Sequence, residues 1–191
     1  APGGYADFLK QDFGWEDKWF LVGTSNPKVD FPYVLPGIKD KWAGSGHPAG
    51  DRAQQVNILF DLASKGTTDG EWKLVIDFAC VHSREPPVLK VRVNGKSHKF
   101  KLAKGIGGDE TISKGDFSKA KPMELAIPLA ADEIRAGANE VMITSIENSW
   151  AIFDDIRLEG PKGAKVVTGH KGAYVRNVTE GQYLVDEKQP L

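Results

Sequence analysis

The amino-acid sequence predicts an all-β protein, a sandwich of short antiparallel strands, and three observations carry the prediction. Apolar residues recur with period two in several segments of strand length. An Asn94-Gly95 pair, the strongest short hairpin signal, joins two of these segments. Helical pattern is confined to one turn around 131–136, closed by Gly137.

Taken in order, the first strand signal is NILFDL from Asn57. In WKLVIDFACVH, Trp72, Leu74, Ile76, Phe78 and Cys80 share one parity, so Cys80 reads as a small core residue rather than a nucleophile. VLKVRVNGKSHKFKL follows from Val88, where Leu89, Val91 and Val93 alternate with Lys90 and Arg92, giving a buried face and a wet one. MELAIPL contains Pro128, which suits an edge strand or a bulge, and NEVMITSI comes next. In the closing AIFDDIRLE, strict alternation sets Ile152, Asp154, Ile156 and Leu158 on the apolar face and Asp155 and Arg157 on the other. Asp154 is then expected to be buried, and so to need an ion pair, backbone N–H donors or a cation. Residues 26–52, rich in Pro, Gly and aromatics, form a long loop of the kind that carries function. From 160 a Pro/Gly break begins a weakly patterned tail, so the sandwich is expected over residues 1–160 and a linker or lead-in to a further module over 161–191.

The chain has 191 residues, 40% of them hydrophobic, enough for one ordinary core. Its 25 basic and 26 acidic residues leave no overall basic field, which argues against nucleic acid or an anionic membrane as partner. No apolar run reaches the length of a membrane span, and the N-terminus reads as that of a mature or excised fragment. One cysteine excludes an intrachain disulfide and leaves the compartment open.

Catalytic constellations are lacking. His47, His82, His98 and His170 are scattered without metal-ligand spacing; there is no nucleophile elbow or P-loop; the glycines of KGIGGDE read as a mobile loop rather than a phosphate cradle. Asp51, Asp77 and Asp154 could be nominated as acid and base only arbitrarily. Two readings of Asp154 stand side by side. It could ligate a structural Ca²⁺ with Asp12, Glu16, Asp17 or the carbonyls of residues 23–26, or it could hold a salt bridge or backbone N–H groups. Trp15, Trp19, Phe31, Tyr33, Trp42 and Trp150 lie in or beside loops. Sugars pack their C–H faces on aromatic rings and need paired donors and acceptors for their hydroxyls. Tyr33, Lys41, Trp42, His47, Asp51 and Arg52 offer both within one loop. The plainer account packs Trp15, Trp19 and Trp42 beneath the loops as a satellite cluster.

IPLAADEIRAGANEVMITSI followed by AIFDDIRLE resembles the end of the C-terminal domain of rhamnogalacturonan lyases, where a short turn leads to a closing strand with an Asp-x-Ile-Arg-Leu-Glu signature. WFLVGTSNP, DFPYVLPGIKDKWAGS and VLKVRVNGK are similar to that domain's opening glycine strand, long loop and hairpin, in the same order, so that the resemblance spans Trp15 to Glu159. It implies a galactose-binding-like jelly roll, a carbohydrate-binding module without the lyase's catalytic lysine and histidine, which belong to another domain. It also implies a structural calcium at the position of Asp154. The expected function is therefore adhesion: a non-catalytic module of a secreted, periplasmic or cell-surface polysaccharide-degrading enzyme, binding plant or algal polysaccharide, pectic chains among the candidates, beside a neighbouring catalytic domain. Alternatives are a purely structural module packed on that catalytic domain and a small glycan-active enzyme.

Overall fold

A computed structural model describes residues 17–32, 34–41, 53–67, 70–105, 116, 118 and 120–168, the side chain of Val29 excepted. Ten strands and one helical turn follow in order: β1 (Lys18–Leu21), α1 (Pro27–Asp30), β2 (Val34–Leu35), β3 (Gln55–Lys65), β4 (Trp72–Val81), β5 (Val88–Val93), β6 (Lys96–Lys101), β7 (Met123–Leu129), β8 (Gly137–Glu147), β9 (Ala151–Glu159) and β10 (Ala164–Val166). The larger sheet runs β1-β3-β8-β5-β6, with β10 also paired to β3; the smaller runs β2-β9-β4-β7. The two pack face to face as a jelly-roll sandwich.

The alternation read from sequence sets the core. Trp72, Leu74, Ile76 and Phe78 of β4 face inward with at most 3% exposure; Cys80 is buried too, but a register shift between Phe78 and Cys80 brings Val81 rather than Cys80 into the core cluster. Opposite them lie Val56, Ile58, Phe60 and Leu62 of β3 and Leu89, Val91 and Val93 of β5. Pro128 falls on β7, the edge of the smaller sheet, where its missing N–H costs no ladder bond. Asn94 and Gly95 turn the β5–β6 hairpin with φ of 47° and 96°, the left-handed geometry these two residues tolerate best.

The hairpin is bolted to the turn before β8. Asn94 Nδ2 donates to Glu133 O (2.7 Å) and Asn139 Oδ1 (2.8 Å), while its own Oδ1 accepts from Glu140 N (2.9 Å). The VNG and GAN segments quoted above are thus two halves of one hydrogen-bonded joint, which gives their pairing a structural reason.

Four expectations change. Residues 131–133 form a hydrogen-bonded turn, followed by bends up to Gly137 (φ 83°), and the helical turn lies instead at α1, where Asn26 caps Lys28 N and Pro27 takes the first position. The loop 26–52 is not structureless, since it contains α1 and β2. The sandwich does not end at 160, because β10 pairs antiparallel with β3. Asp154 is exposed rather than buried. The cause is a register shift where β9 crosses β4: Asp77 faces Asp155 but Phe78 faces Phe153, so Asp154 is the extra residue of a bulge and the parity of the strand reverses across it. Ala151 and Phe153 point into the core above the bulge, and Ile156 and Leu158 below it.

Phe31 lies in the loop, as expected, but its ring turns into the core. Its ring meets Phe20 edge-on at 5.5 Å and Phe153 at 5.7 Å, and Phe153 stacks on Phe78 at 5.6 Å. This chain of rings joins β1, the loop and the smaller sheet, each pair adding roughly 0.5–1.5 kcal/mol beyond burial.

Candidate functional site

Strand directions gather the long connections at one end. The starts of β3, β5, β7 and β9 and the ends of β4, β6 and β8 lie there, so the described residues flanking those strand ends, 36–41, 53–54, 82–87, 102–105 and 148–150 among them, meet at this end. Loops carried on a rigid sheet end are the usual seat of recognition.

The first of these loops is latched to the last. Asp40, 7% exposed, accepts from Gly37 N through Oδ2 and from Ser149 Oγ through Oδ1, both at 2.7 Å. Lys39 N donates to Asn148 O at 3.1 Å. Gly37 lies so close to this turn that a β-carbon would stand 2.2 Å from Asn148 O, which only glycine permits. The 82–87 turn is fixed in the same way: Asn148 Nδ2 donates to Pro86 O (3.0 Å), Ser149 N to Glu85 O (3.1 Å) and Glu85 N to His82 Nδ1 (2.9 Å).

On this frame Trp150, half-buried, packs with Ile152 against Val34, and His82 meets its ring edge-on at 5.4 Å. Lys39, Lys41 and Arg84 are exposed around them. Lys39 Nζ bonds Glu85 Oε1 at 2.7 Å, and this lysine holds the Glu85 carboxyl below its ordinary value. The surface thus combines two half-buried aromatic rings with exposed cations.

Of the expected sugar-contacting residues, Lys41 is exposed at this end, while Tyr33, Trp42, His47, Asp51 and Arg52 lie outside the described residues. Trp19 belongs to β1 rather than to a loop. Sequence reasoning missed the pairing of His82 with Trp150 and the Asp40 latch. The only signal was Pro86-Pro87, which marks a stiff turn.

Asp154 has no hydrogen bond or ion pair among the described residues, and no group of three or more His, Cys, Asp or Glu among them could hold a metal. Asp17, one of its expected companions, accepts from Gln55 Nε2 at 2.7 Å; Asp12 and Glu16 lie outside the described residues. Asp77, considered as an acid or base, is ion-paired to Arg157, which also meets Glu124, Asp155 and Glu159. These contacts, Glu159 foremost and then Asp77, raise the arginine's pKa.

Comparison with solved structures finds a family 35 carbohydrate binding module from an environmental isolate at 16% identity, with 62% of this chain and 73% of that one covered and a TM-score of 0.40. Xyl-CBM35, solved with a glucuronic acid containing disaccharide, is also 16% identical, over 73% of this chain and 91% of that one, with a TM-score of 0.40. The module CBM35 from Cellvibrio japonicus Abf62 is 14% identical, covering 58% and 73%, at a TM-score of 0.31. Among curated proteins no match is found. The family model for the CBM-like domain III of polysaccharide lyase family 4 matches residues 7–158. That span takes in β1 to the penultimate residue of β9, both sheets and the latched loops, and the chain belongs to this CBM-like domain III family.

Proposed function

We propose that the chain is a non-catalytic module of a polysaccharide-degrading enzyme that holds plant or algal polysaccharide at its loop end. The observation that carries the reading is the latched loop cluster, where the Trp150–His82 pair and the exposed Lys39, Lys41 and Arg84 share one surface. Trp42 and Tyr33 would stack on a sugar ring, with Lys41, His47, Asp51 and Arg52 bonding its hydroxyls. Single-site binding of this kind is weak, because each hydroxyl exchanges a water bond for a protein bond at little net gain. Two or more modules on one parent chain would compensate through avidity.

A structural Ca²⁺ is part of the proposal. The described residues alone do not complete such a site; Asp154 would give one carboxylate, and Asp12 or Glu16 would have to add others. The ion would fix the N-terminal segment against the β9 bulge and take no part in sugar contact.

A second reading, a module packed on a catalytic domain, is favoured by one feature. An apolar cleft of about 600 Å³ opens between the sheets, lined by Phe60, Trp72, Ile156, Leu158 and Val166 among others. Affinity electrophoresis of the chain against plant and algal polysaccharides, beside Trp42→Ala and with and without EDTA, separates the readings. Retardation by a glycan that the variant loses supports adhesion, and its loss with EDTA supports the calcium. No retardation by any polymer refutes adhesion and leaves the packing role.

A further inference from the structure

We propose a second polysaccharide surface on the outer face of the larger sheet, which takes an anionic chain and is centred on Lys90. The proposal rests on the saccharide-binding reading but uses a different face of the sandwich. The pairing register fixes what that face presents. Lys90 stands directly between Thr144 and Lys99; one row along, Arg92 stands between Met142 and Ser97, and that row continues through Asn57 to Trp19. Lys101 flanks Lys99 on the same parity, opposite Val88. Lys90, Lys99 and Lys101 are exposed.

Only part of this charge is met. Lys99 pairs with Glu147 at 2.9 Å and Arg92 reaches Glu140 at 3.7 Å, with Arg92 Nε left without an acceptor. Lys90 and Lys101 have no ion pair among the described residues. Like charges set directly across an antiparallel pair destabilise it, and Lys90 faces Lys99 in this manner. Lysines on an edge strand guard against edge-to-edge pairing, which accounts for those of β6 but not for Lys90 and Arg92, which stand on the interior strand β5. A counter-anion laid across the hairpin accounts for both.

The opposite outer face has the opposite sign. There Asp77, Glu124, Asp155 and Glu159 outnumber Arg157 and Lys73, so a polyanion is turned away from the smaller sheet and toward the larger. From β6 to β1 the larger sheet spans four strand spacings, roughly 19 Å; its open part is the β5–β6 hairpin and β8, since Asn57 in the Arg92 row is fully buried beside the half-buried Trp19. The recognised chemistry is a repeating carboxylate or sulfate on an extended glycan.

The test is affinity electrophoresis of the chain, of a Lys90→Gln/Lys101→Gln variant that spares the Lys99–Glu147 pair, and of Trp42→Ala. The gels contain polygalacturonate, a sulfated galactan or a neutral galactan, at about 20 and about 200 mM salt. The expected result is a roughly five- to tenfold weaker retardation of the lysine variant by an anionic polymer at low salt, lost at high salt. Its binding of neutral polymer is unchanged, and its melting temperature is no lower than that of the wild type. Which anionic polymer shows the effect identifies carboxylate or sulfate as the ligand group. Equal retardation of the wild type and the lysine variant by both anionic polymers overturns the proposal, as does retardation of the wild type by neutral polymer alone. Failure of every polymer to retard the wild type overturns the proposed function itself.

Discussion

Asp40→Ala should release the loop at residues 36–41 without dismantling the sandwich. The carboxylate accepts two short hydrogen bonds, from Gly37 N and Ser149 Oγ, in a place with 7% exposure. A hydrogen bond to a charged group contributes roughly 1.5–3 kcal/mol, and desolvating the carboxylate offsets about one such bond, so the substitution should cost about 2–3 kcal/mol. For a domain of this size that lowers the melting temperature by roughly 5–10 °C. Since the broken contacts lie in one loop, part of the loss should appear as local opening: amide exchange at Gly37 and Lys39, whose N–H groups bond Asp40 and Asn148, accelerates more than exchange in β4.

Asp40→Asn gives the control. Its amide oxygen still accepts from Gly37 N, and its NH₂ donates to Ser149 Oγ once that hydroxyl turns, so the cost should fall to about 1 kcal/mol. Glycan retardation should follow the same order, wild type above Asp40→Asn above Asp40→Ala. Melting of Asp40→Ala within about 1 °C of wild type, with unchanged exchange at Gly37, would falsify the latch.

Other perturbations have equally definite outcomes. Asn139 is 4% exposed and makes four hydrogen bonds of 2.8–2.9 Å, to Asn94, to Arg135 twice and to Gly137, so Asn139→Ala should cost about 3 kcal/mol; a denaturant midpoint matching wild type would contradict the joint between hairpin and turn. Burial pushes the Glu133 carboxyl up, but Ala130 N–H and His98 overcome it and hold the group below its ordinary value of 4.5. A depressed carboxylate contributes stability above its unfolded value and loses it as pH falls through the folded one, so Glu133→Gln should melt lower than wild type at pH 6, with the gap closing below pH 4.5. A gap that persists undiminished in acid would remove the charge from the account. Arg157→Ala removes one of the two cations, after Lys73, that hold the Glu159 carboxyl below its ordinary value, so its melting temperature should fall at neutral pH and the deficit should shrink as pH falls below 4.5 through that depressed value; a pH-independent deficit would point to lost packing instead.

What the sequence revealed and what it hid divide along one physical line. The buried parity of β4, the hairpin at Asn94-Gly95 and the edge position of Pro128 depend on a residue and its near neighbours, and period-two alternation or turn geometry fixes them locally. Asp154 could not be read in this way, because the bulge that exposes it arises from the match between β9 and β4, strands far apart in sequence. The Asp40–Ser149 bond links residues 109 positions apart, and neither side chain signals the other. The Lys90 surface was hidden more thoroughly, since 25 bases against 26 acids describe a neutral molecule. Parity alone puts Lys90 and Arg92 on an outer face. Only the registers of β5 with β6 and of β4 with β9 show bases collected on one side of the sandwich and acids on the other. Such segregation is nearly costless to the core, because every residue concerned lies on an outward parity that packing leaves free.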